Sequence, residues 1–293
     1  MNISMKKTTI SLLNGAFFTL TLFYSGHMFA GDGKIIATAG LTQVEGSGGG
    51  GLVPWAILSG YDTQDQISVG AFNTQVNVDD YRLQSWGVNA SFYDRVELSV
   101  AQQTFDLTTL GGDLRQNIIG AKVRLYGDVI YSQWPQVSLG VQYKRLIDQN
   151  TGVSSETTKA LGANSNHGID LYMAMTKVHL GLIYGYNFVW NLNFRATKAN
   201  EMGLLGFGGS KNKNYQVMAE GSAGILLNEH VVIGFEYRQK PNNLGLKEAD
   251  WKDIFIAYIP NKNMSLTFAW TELGSIAGLK NQNGLYASLN ASL

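Results

Sequence analysis

Charged residues fall on one parity of segments whose other parity is apolar, and these charges are the groups best placed to carry function. In residues 231–238, for example, Glu236 and Arg238 share one parity, whereas Val231, Ile233 and Phe235 hold the other. Charged groups that face a water-filled passage set its ion preference. The candidate residues are Glu97, Lys122, Arg124, Lys144, Asp170, Arg195, Glu220, Glu236 and Arg238.

Two interpretations of these charges stay open. A lumen that holds both signs is either a hydrated, constricted channel or a solid network of internal ion pairs, and strand number alone does not decide between them. A charge on a lipid-facing side costs roughly 2–4 kcal/mol at the membrane midplane, so the sequence predicts that these residues face inward. We favour the hydrated channel and keep the ion-pair network as the alternative.

Nucleophilic catalysis would need a general base beside a nucleophile, and the chain has only 4 histidines. His167 is the one predicted on the outer side of the membrane, close in sequence to Ser165 and Asp170. A neighbouring Ser and His in a loop are more often polar loop residues than a catalytic pair. We therefore predict no catalytic residues, and an outer-membrane hydrolase is the least favoured function.

Neither a cofactor nor a metal is predicted. The glycine-rich stretches at residues 46–51 and 203–209 lack the Gly-Lys-Ser/Thr ending of a phosphate-binding loop, and no helical period follows either of them. Histidine is scarce and cysteine is absent, which leaves no cluster for a transition metal. The acidic residues also lack the spacing of a calcium loop.

Strands must position the charges, because successive side chains of a strand point to opposite faces. Alternating segments of about ten residues recur from Lys34 to Leu293, a pattern typical of a transmembrane β-barrel. The predicted fold is therefore all-β, an antiparallel transmembrane barrel of about 14 strands. The predicted strands lie near 34–44, 54–61, 66–78, 81–93, 95–106, 115–127, 135–146, 168–178, 186–197, 213–226, 230–240, 251–260, 263–272 and 283–293.

The predicted connections support a barrel over a soluble β-sandwich. Outer-membrane barrels have short periplasmic turns and longer outer loops, and short and long connections largely alternate along this chain, as at residues 227–229 and 241–250. A sandwich has no reason to separate its loops by length. The runner-up prediction is a barrel of twelve strands, in which residues 34–60 fold into the mouth or the lumen.

The first thirty residues differ from the rest of the chain. Lys6 and Lys7 precede an apolar run that is too short for a membrane-spanning helix and ends in small residues near Ala30. This pattern predicts a signal peptide over residues 1–30, with one barrel domain over residues 31–293. Its removal takes two lysines from a chain of 22 basic and 22 acidic residues. A near-neutral chain gives no support for nucleic-acid binding.

Several runs of sequence resemble a Gram-negative family known as a domain of unknown function and regarded as outer-membrane proteins. The runs are GGGLVPWA at 49–56, GAKVRLYGD at 120–128, PQV at 135–137 with QYKR at 142–145, RATKAN at 195–200, GLLGFGG at 203–209 and EYRQKPNNLG at 236–245. They span almost the whole predicted mature chain. The resemblance implies an outer-membrane location and a barrel, and it implies no particular substrate or reaction.

The leading functional prediction is passage of a small solute through a lumen lined by the charges named above. The alternative is a sealed structural or interaction barrel that acts through its outer loops, above all residues 147–167 and 198–212. The predicted surroundings are the lipid of the cell outer membrane, and neither prediction involves nucleic acid. The oligomeric state stays open.

Overall fold

The computed structural model describes residues 34–39, 41–107, 111–147, 155–246 and 248–293. The predicted signal peptide, residues 1–30, lies outside the described residues. The described chain contains two short strands, twelve long strands, one α-helix and one 3₁₀ helix, α1 covering Ser155–Ala160 and the 3₁₀ helix Asn200–Gly203. The strands are β1 Leu41–Thr42, β2 Gly48–Gly49, β3 Ile67–Val78, β4 Tyr81–Phe92, β5 Val96–Leu107, β6 Asp113–Tyr126, β7 Gln136–Ile147, β8 His167–Ile183, β9 Tyr186–Thr197, β10 Gln216–Leu226, β11 Val231–Arg238, β12 Trp251–Asn261, β13 Met264–Glu272 and β14 Asn283–Ser292.

Strands β3 to β14 form one closed barrel in which every strand pairs antiparallel with its neighbours in the chain. The seam that closes the barrel joins β14 to β3, from Gly284 opposite Val78 to Ser292 opposite Gly70. Two backbone hydrogen bonds between Val69 and Leu293, of 3.0 and 2.8 Å, extend this seam. Closure leaves none of these twelve strands with an unpaired edge, as a membrane-spanning sheet requires.

The prediction of about 14 barrel strands was wrong, and the runner-up of twelve strands is confirmed. The segments predicted as strands at 34–44 and 54–61 do not join the barrel, because β1 and β2 pair only with each other. Barrel strands bury alternate residues, whereas every residue from 42 to 62 is buried. A segment enclosed on all sides by the wall has no lipid face, so its apolar positions do not mark a spanning strand.

The connections fall into two groups at opposite ends of the barrel. Residues 93–95, 184–185, 227–230 and 262–263 make short turns at one end, where a longer turn at 127–135 also lies. Connections at the other end include the long stretches between β7 and β8, β9 and β10, β11 and β12, and β13 and β14. By the general rule for these barrels, the first end faces the periplasm and the second faces outward.

The outer surface of the barrel is apolar and its inner surface is polar. Phe268 and Trp270 on β13 are 55% and 54% exposed, although they are large apolar side chains. Lys122 and Lys144, in contrast, are almost completely buried on the inner side. This reversal of the usual distribution fits a wall that has lipid outside. None of the helices in the described residues is long and apolar enough to cross a membrane.

Replacing Phe268 with arginine tests the assignment of the lipid face. We expect the free energy of unfolding to fall by about 2–4 kcal/mol, because a guanidinium near the midplane loses its hydration. Equilibrium urea unfolding in lipid vesicles measures this change. The conservative Phe268→Leu variant serves as the control and should lose much less. Equal stability of the two variants would contradict the assignment.

Candidate functional site

The segment from residue 41 to residue 62, named the plug below, fills the lumen of the barrel. Lys34, just before it, lies at the periplasmic end, where its Nζ is 2.8 Å from Asp94 Oδ1 in the turn after β4. Asp62, the last residue of the plug, also lies at the periplasmic end, where it accepts a 2.7 Å hydrogen bond from the Asp94 backbone N–H. Val44 and Leu52 pack against the outer loops. The plug therefore enters from the periplasmic end, reaches the outer mouth and returns.

Lys122 and Glu97 bind the backbone of the plug near its periplasmic end. The two residues are opposite each other on β6 and β5, and their charged atoms are 3.2 Å apart. Lys122 Nζ donates to the carbonyl oxygens of Gly48 and Ile57 at 2.7 and 2.8 Å. Glu97 accepts from the backbone N–H groups of Gly48 and Ser59 at 3.0 and 2.6 Å. These wall residues supply the partners that a neighbouring strand would otherwise provide.

Glu236 makes a similar contact closer to the outer mouth. Its Oε2 accepts hydrogen bonds from the N–H groups of Gly51 and Leu52, at 2.7 and 2.6 Å, and its Oε1 accepts one from the Ser222 hydroxyl at 2.8 Å. A Cβ at Gly50 would overlap this carboxylate. The glycine-rich stretch therefore lets the plug backbone approach a wall carboxylate closely, which is a structural use of glycine.

Glu45 of the plug lies among three cations of the wall and is completely buried. Its Oε1 pairs with Lys144 Nζ. Its Oε2 lies 2.8 Å from Arg238 Nη1 and 3.6 Å from Arg195 Nη1. Removing a carboxylate from water is costly, and several good ion pairs are needed to offset that cost.

Two wall carboxylates complete the group around Glu45. Asp170 Oδ2 is 2.6 Å from Lys144 Nζ and 3.4 Å from Arg195 Nη1. Glu220 Oε1 is 2.7 Å from Arg195 Nε and 3.1 Å from Arg238 Nε. The Glu45 cluster, as we name it, contains three cations and three anions: Glu45, Lys144, Asp170, Arg195, Glu220 and Arg238.

Arg124 is placed differently from the other predicted candidates. It lies at the periplasmic end of β6, where it forms ion pairs with Asp94 and, at 3.1 Å, with Asp128. Burial opposes ionisation of Asp128, but the N–H groups of Tyr131 and Ile130 and the charge of Arg124 hold its pKa below the usual value. Arg124 therefore stabilises the periplasmic turn at 127–135, beside a cavity of about 230 Å³.

An apolar cluster closes the outer mouth above the plug. Leu204 and Leu205 from the loop after β9 pack with Leu52 of the plug and with Trp251 of the wall. Every residue from 42 to 62 is buried, whereas a water-filled passage beside the plug would expose part of it. In this conformation the plug and the mouth cluster fill the lumen. The inward charges therefore face the plug, and the expectation that they line open water does not describe this state.

Sequence reasoning missed two inward acidic residues. Glu45 lies in the connection between the predicted strands at 34–44 and 54–61. Its position next to the glycine-rich stretch is the one sequence feature that sets it apart from the charges on the strands. Asp253, on β12, lies opposite Glu236 on β11, and neither of its carboxyl oxygens has a hydrogen-bond partner among the described residues. Both parities of β12 are mostly apolar and each holds one charged residue, so local alternation does not mark Asp253 as inward.

Glu201 is a buried acid in the outer loop after β9. Lys240 Nζ is 2.7 Å from its Oε1 and also donates to the carbonyl oxygen of Ser275 at 2.8 Å, so this contact ties three outer loops together. Burial raises the pKa of Glu201 well above its usual range, Lys240 opposes this change, and a side-chain hydrogen bond with Glu248 adds to it. The folded loop therefore favours the protonated acid.

Ser165 and His167 do not form a catalytic relay in this structure. Ser165 Oγ is 3.3 Å from His167 Nδ1, and the side-chain oxygen of Asn166 is 3.0 Å from the same nitrogen. A Ser–His relay requires one ring nitrogen at the nucleophile and the other at an orienting group. Among the described residues, no group of three or more histidines or acids is arranged to hold a metal ion.

The fold and the filled polar lumen define a class of protein. A closed antiparallel barrel with an even number of strands, an apolar outer face and a polar interior is an outer-membrane β-barrel. Within that class the chain belongs to the family described as "Protein of unknown function (DUF3034)", whose model matches residues 38–290. The family resemblance and the outer-membrane location expected from the sequence are confirmed.

Solved structures of other barrels are similar in fold. The KdgM porin has a TM-score of 0.47 and 10% identity, covering 77% of this chain and 99% of its own. The outer membrane protein Omp33 of Acinetobacter baumannii has a TM-score of 0.44 and 6% identity, covering 78% of this chain and 97% of its own. Outer membrane phospholipase A of Escherichia coli has a TM-score of 0.40 and 9% identity, covering 77% of this chain and 92% of its own. At these identities the likeness is one of fold alone. No curated protein matched the chain.

Replacing Glu45 with glutamine tests how strongly the Glu45 cluster holds the plug. The change leaves three buried cations with two carboxylates, and loss of one partner from a buried ionic network costs about 3–5 kcal/mol. We expect faster amide hydrogen exchange in residues 41–62 and unchanged exchange in the barrel strands. Glu229→Gln, which alters an exposed residue, is the matched control. Unchanged exchange in the plug would show that Glu45 does not hold it.

Glu201 should make the outer loops less stable as the pH rises. Because its folded pKa is raised, its stabilising effect is complete below the usual carboxyl pKa of about 4.3 and is lost as the pH rises through the raised folded pKa. In urea unfolding at several pH values, the stability of the wild type relative to Glu201→Gln should therefore fall with increasing pH. A constant difference between the two proteins would contradict this assignment.

Proposed function

We propose that the protein is a porin-like conduit for a small solute that is closed at rest by its own plug. The observation that carries this proposal is that the plug fills the lumen and yet pairs with no strand of the barrel. The leading prediction from the sequence, a conduit with a charged lumen, is thereby kept and refined. The charges face water only when the plug has moved.

The attachment of the plug favours movement. The two ends of the plug lie at the periplasmic end, so it can withdraw on that side without passing through the wall. Wall side chains such as Lys122 and Glu236 hold it through hydrogen bonds to its backbone. Leaving the lumen would break these bonds, but it would break no pair of barrel strands. Water can replace the same partners on both surfaces.

The composition of the inner wall also favours a conduit. A permanently fixed plug can satisfy its backbone with neutral polar side chains of the wall, which avoid the cost of burying charges. This barrel instead places charged residues on seven consecutive strands, β5 to β11. The proposal includes export by the segment at residues 1–30, after which the barrel of residues 31–293 enters the outer membrane.

A second candidate function is a sealed barrel that acts through its outer loops. It is favoured by the order of these loops, since Phe207 forms bridges with both Ser165 and Ala199. Asn243 Nδ2 also donates to the Lys198 carbonyl oxygen at 3.0 Å. Loops from three different connections thus form one defined surface on the outer side, which a partner could recognise.

Recording ionic current through the full-length mature protein in planar bilayers, with potassium chloride as the salt, tests the proposed conduit. Ala56 of the plug packs against Ala174 of β8, and the chain has no native cysteine. We expect the wild type to open transiently. Ala56→Cys combined with Ala174→Cys should remain silent when oxidised and should open again after reduction, because the disulfide fixes the plug to the wall.

The single variant Ala56→Cys is the control, and oxidant should not change its current. Folded wild-type protein that never opens at any voltage would contradict the conduit and favour the sealed barrel. Openings that persist in the oxidised double variant would show that solutes pass without movement of the plug.

A further inference from the structure

The five wall residues of the Glu45 cluster alternate in charge along five consecutive strands. Lys144 lies on β7, Asp170 on β8, Arg195 on β9, Glu220 on β10 and Arg238 on β11. All five are buried. The wall therefore contributes three cations and two anions to this patch, and its own charges do not balance.

Glu45 supplies the missing negative charge, and it comes from the plug. Its two oxygens divide between the three cations, with Lys144 at one oxygen and the guanidinium groups of Arg195 and Arg238 at the other. When the plug withdraws, Glu45 leaves with it and the patch keeps one excess positive charge. The position that the Glu45 carboxylate had occupied, between Lys144, Arg195 and Arg238, is then open to the lumen.

The residues around that place suit a carboxylate. Arginine offers planar paired donors that match a carboxylate, and lysine adds a compact charge. Arg195 is held in position by Glu220 and by the Gln142 side-chain oxygen at 3.0 Å, and its guanidinium lies 5.4 Å from the centre of the Tyr172 ring. These contacts come from the wall and do not depend on the plug.

One donor beside the patch has no partner. Nε2 of Gln142 is buried and makes no hydrogen bond among the described residues, although the oxygen of the same amide accepts from Arg195. A buried donor without a partner costs free energy. A solute that carries an acceptor next to its carboxylate offers this amide the bond that Glu45 leaves unmade.

We infer that the Glu45 cluster, once the plug has moved, is a binding site for the carboxylate of a small solute, and that Glu45 occupies this site in the closed state. This inference rests on the proposed conduit. It gives the solute a chemical class, a small monocarboxylate with a neighbouring hydrogen-bonding group. Because the solute and Glu45 compete for the same three cations, the solute itself stabilises the open conformation.

Other wall charges decide which measurement is informative. Glu236 and Asp253 are inward acids outside the cluster, and Glu97 and Lys122 pair with each other. The inner wall as a whole is therefore not strongly basic, so bulk anion preference is a poor test. Binding of a carboxylate, read through its effect on opening, reports on the site itself.

Lactate and its neutral amide, lactamide, are matched probes for the full-length protein in planar bilayers. At constant ionic strength, lactate should raise the open probability several-fold and lactamide should not. In the Glu45→Gln background, where no plug carboxylate competes, Lys144→Met and Arg238→Met should each raise the lactate concentration for half effect by about tenfold or more, as expected for loss of a charged partner. Glu45→Gln should lower that concentration, because the competing carboxylate is gone.

Lys122→Met is the matched control, because Lys122 binds the plug but lies outside the cluster. It should raise the basal open probability and, by loosening the plug, lower the lactate concentration for half effect, the opposite of the change expected in the cluster variants. Channels that open equally with lactate and lactamide, or an unaltered lactate response in both cluster variants, would overturn the carboxylate site while the conduit stands. Absence of any opening in the wild type would instead overturn the conduit.

Discussion

One carboxylate that the wall does not supply balances the charges of the Glu45 cluster in the closed lumen. Without Glu45, the patch formed by Lys144, Arg195 and Arg238 with two wall acids carries an excess positive charge away from bulk water. Burying such a charge without a partner is more costly than leaving the network complete. The position of the plug, the filling of the lumen and the packing of the outer loops on Leu52 therefore depend on the same ionic contacts.

The polar lining of the barrel follows from the backbone of the plug. Buried N–H and C=O groups need partners, and the plug has only the short β1–β2 pairing of its own. Lys122, Glu97 and Glu236 supply many of the missing partners by reaching inward from three strands. A lumen lined with apolar side chains would have left these groups unsatisfied. Charge on the wall and irregular backbone in the lumen thus stabilise each other.

The sequence predicts the wall well and the plug poorly, for a physical reason. Each barrel strand has lipid on one side and the lumen on the other, so apolar and polar residues alternate along it, and this pattern can be read locally. The twelve strands accordingly lie close to their predicted bounds. Residues 34–61 also alternate in part, but the wall surrounds them, and local pattern does not reveal enclosure. The ionic partners of Glu45 lie 99 or more positions away, so only the fold brings these charges together.

The seam between β14 and β3 has a consequence for how the molecule assembles. It joins the first strand of the barrel to the last one, so the wall becomes a closed ring only after all twelve strands have taken their places. The plug precedes β3 in the chain and is available while the sheet is still open. An enclosed segment that does not have to thread through a finished ring can act as a template, around which wall residues of matching charge gather before the ring closes.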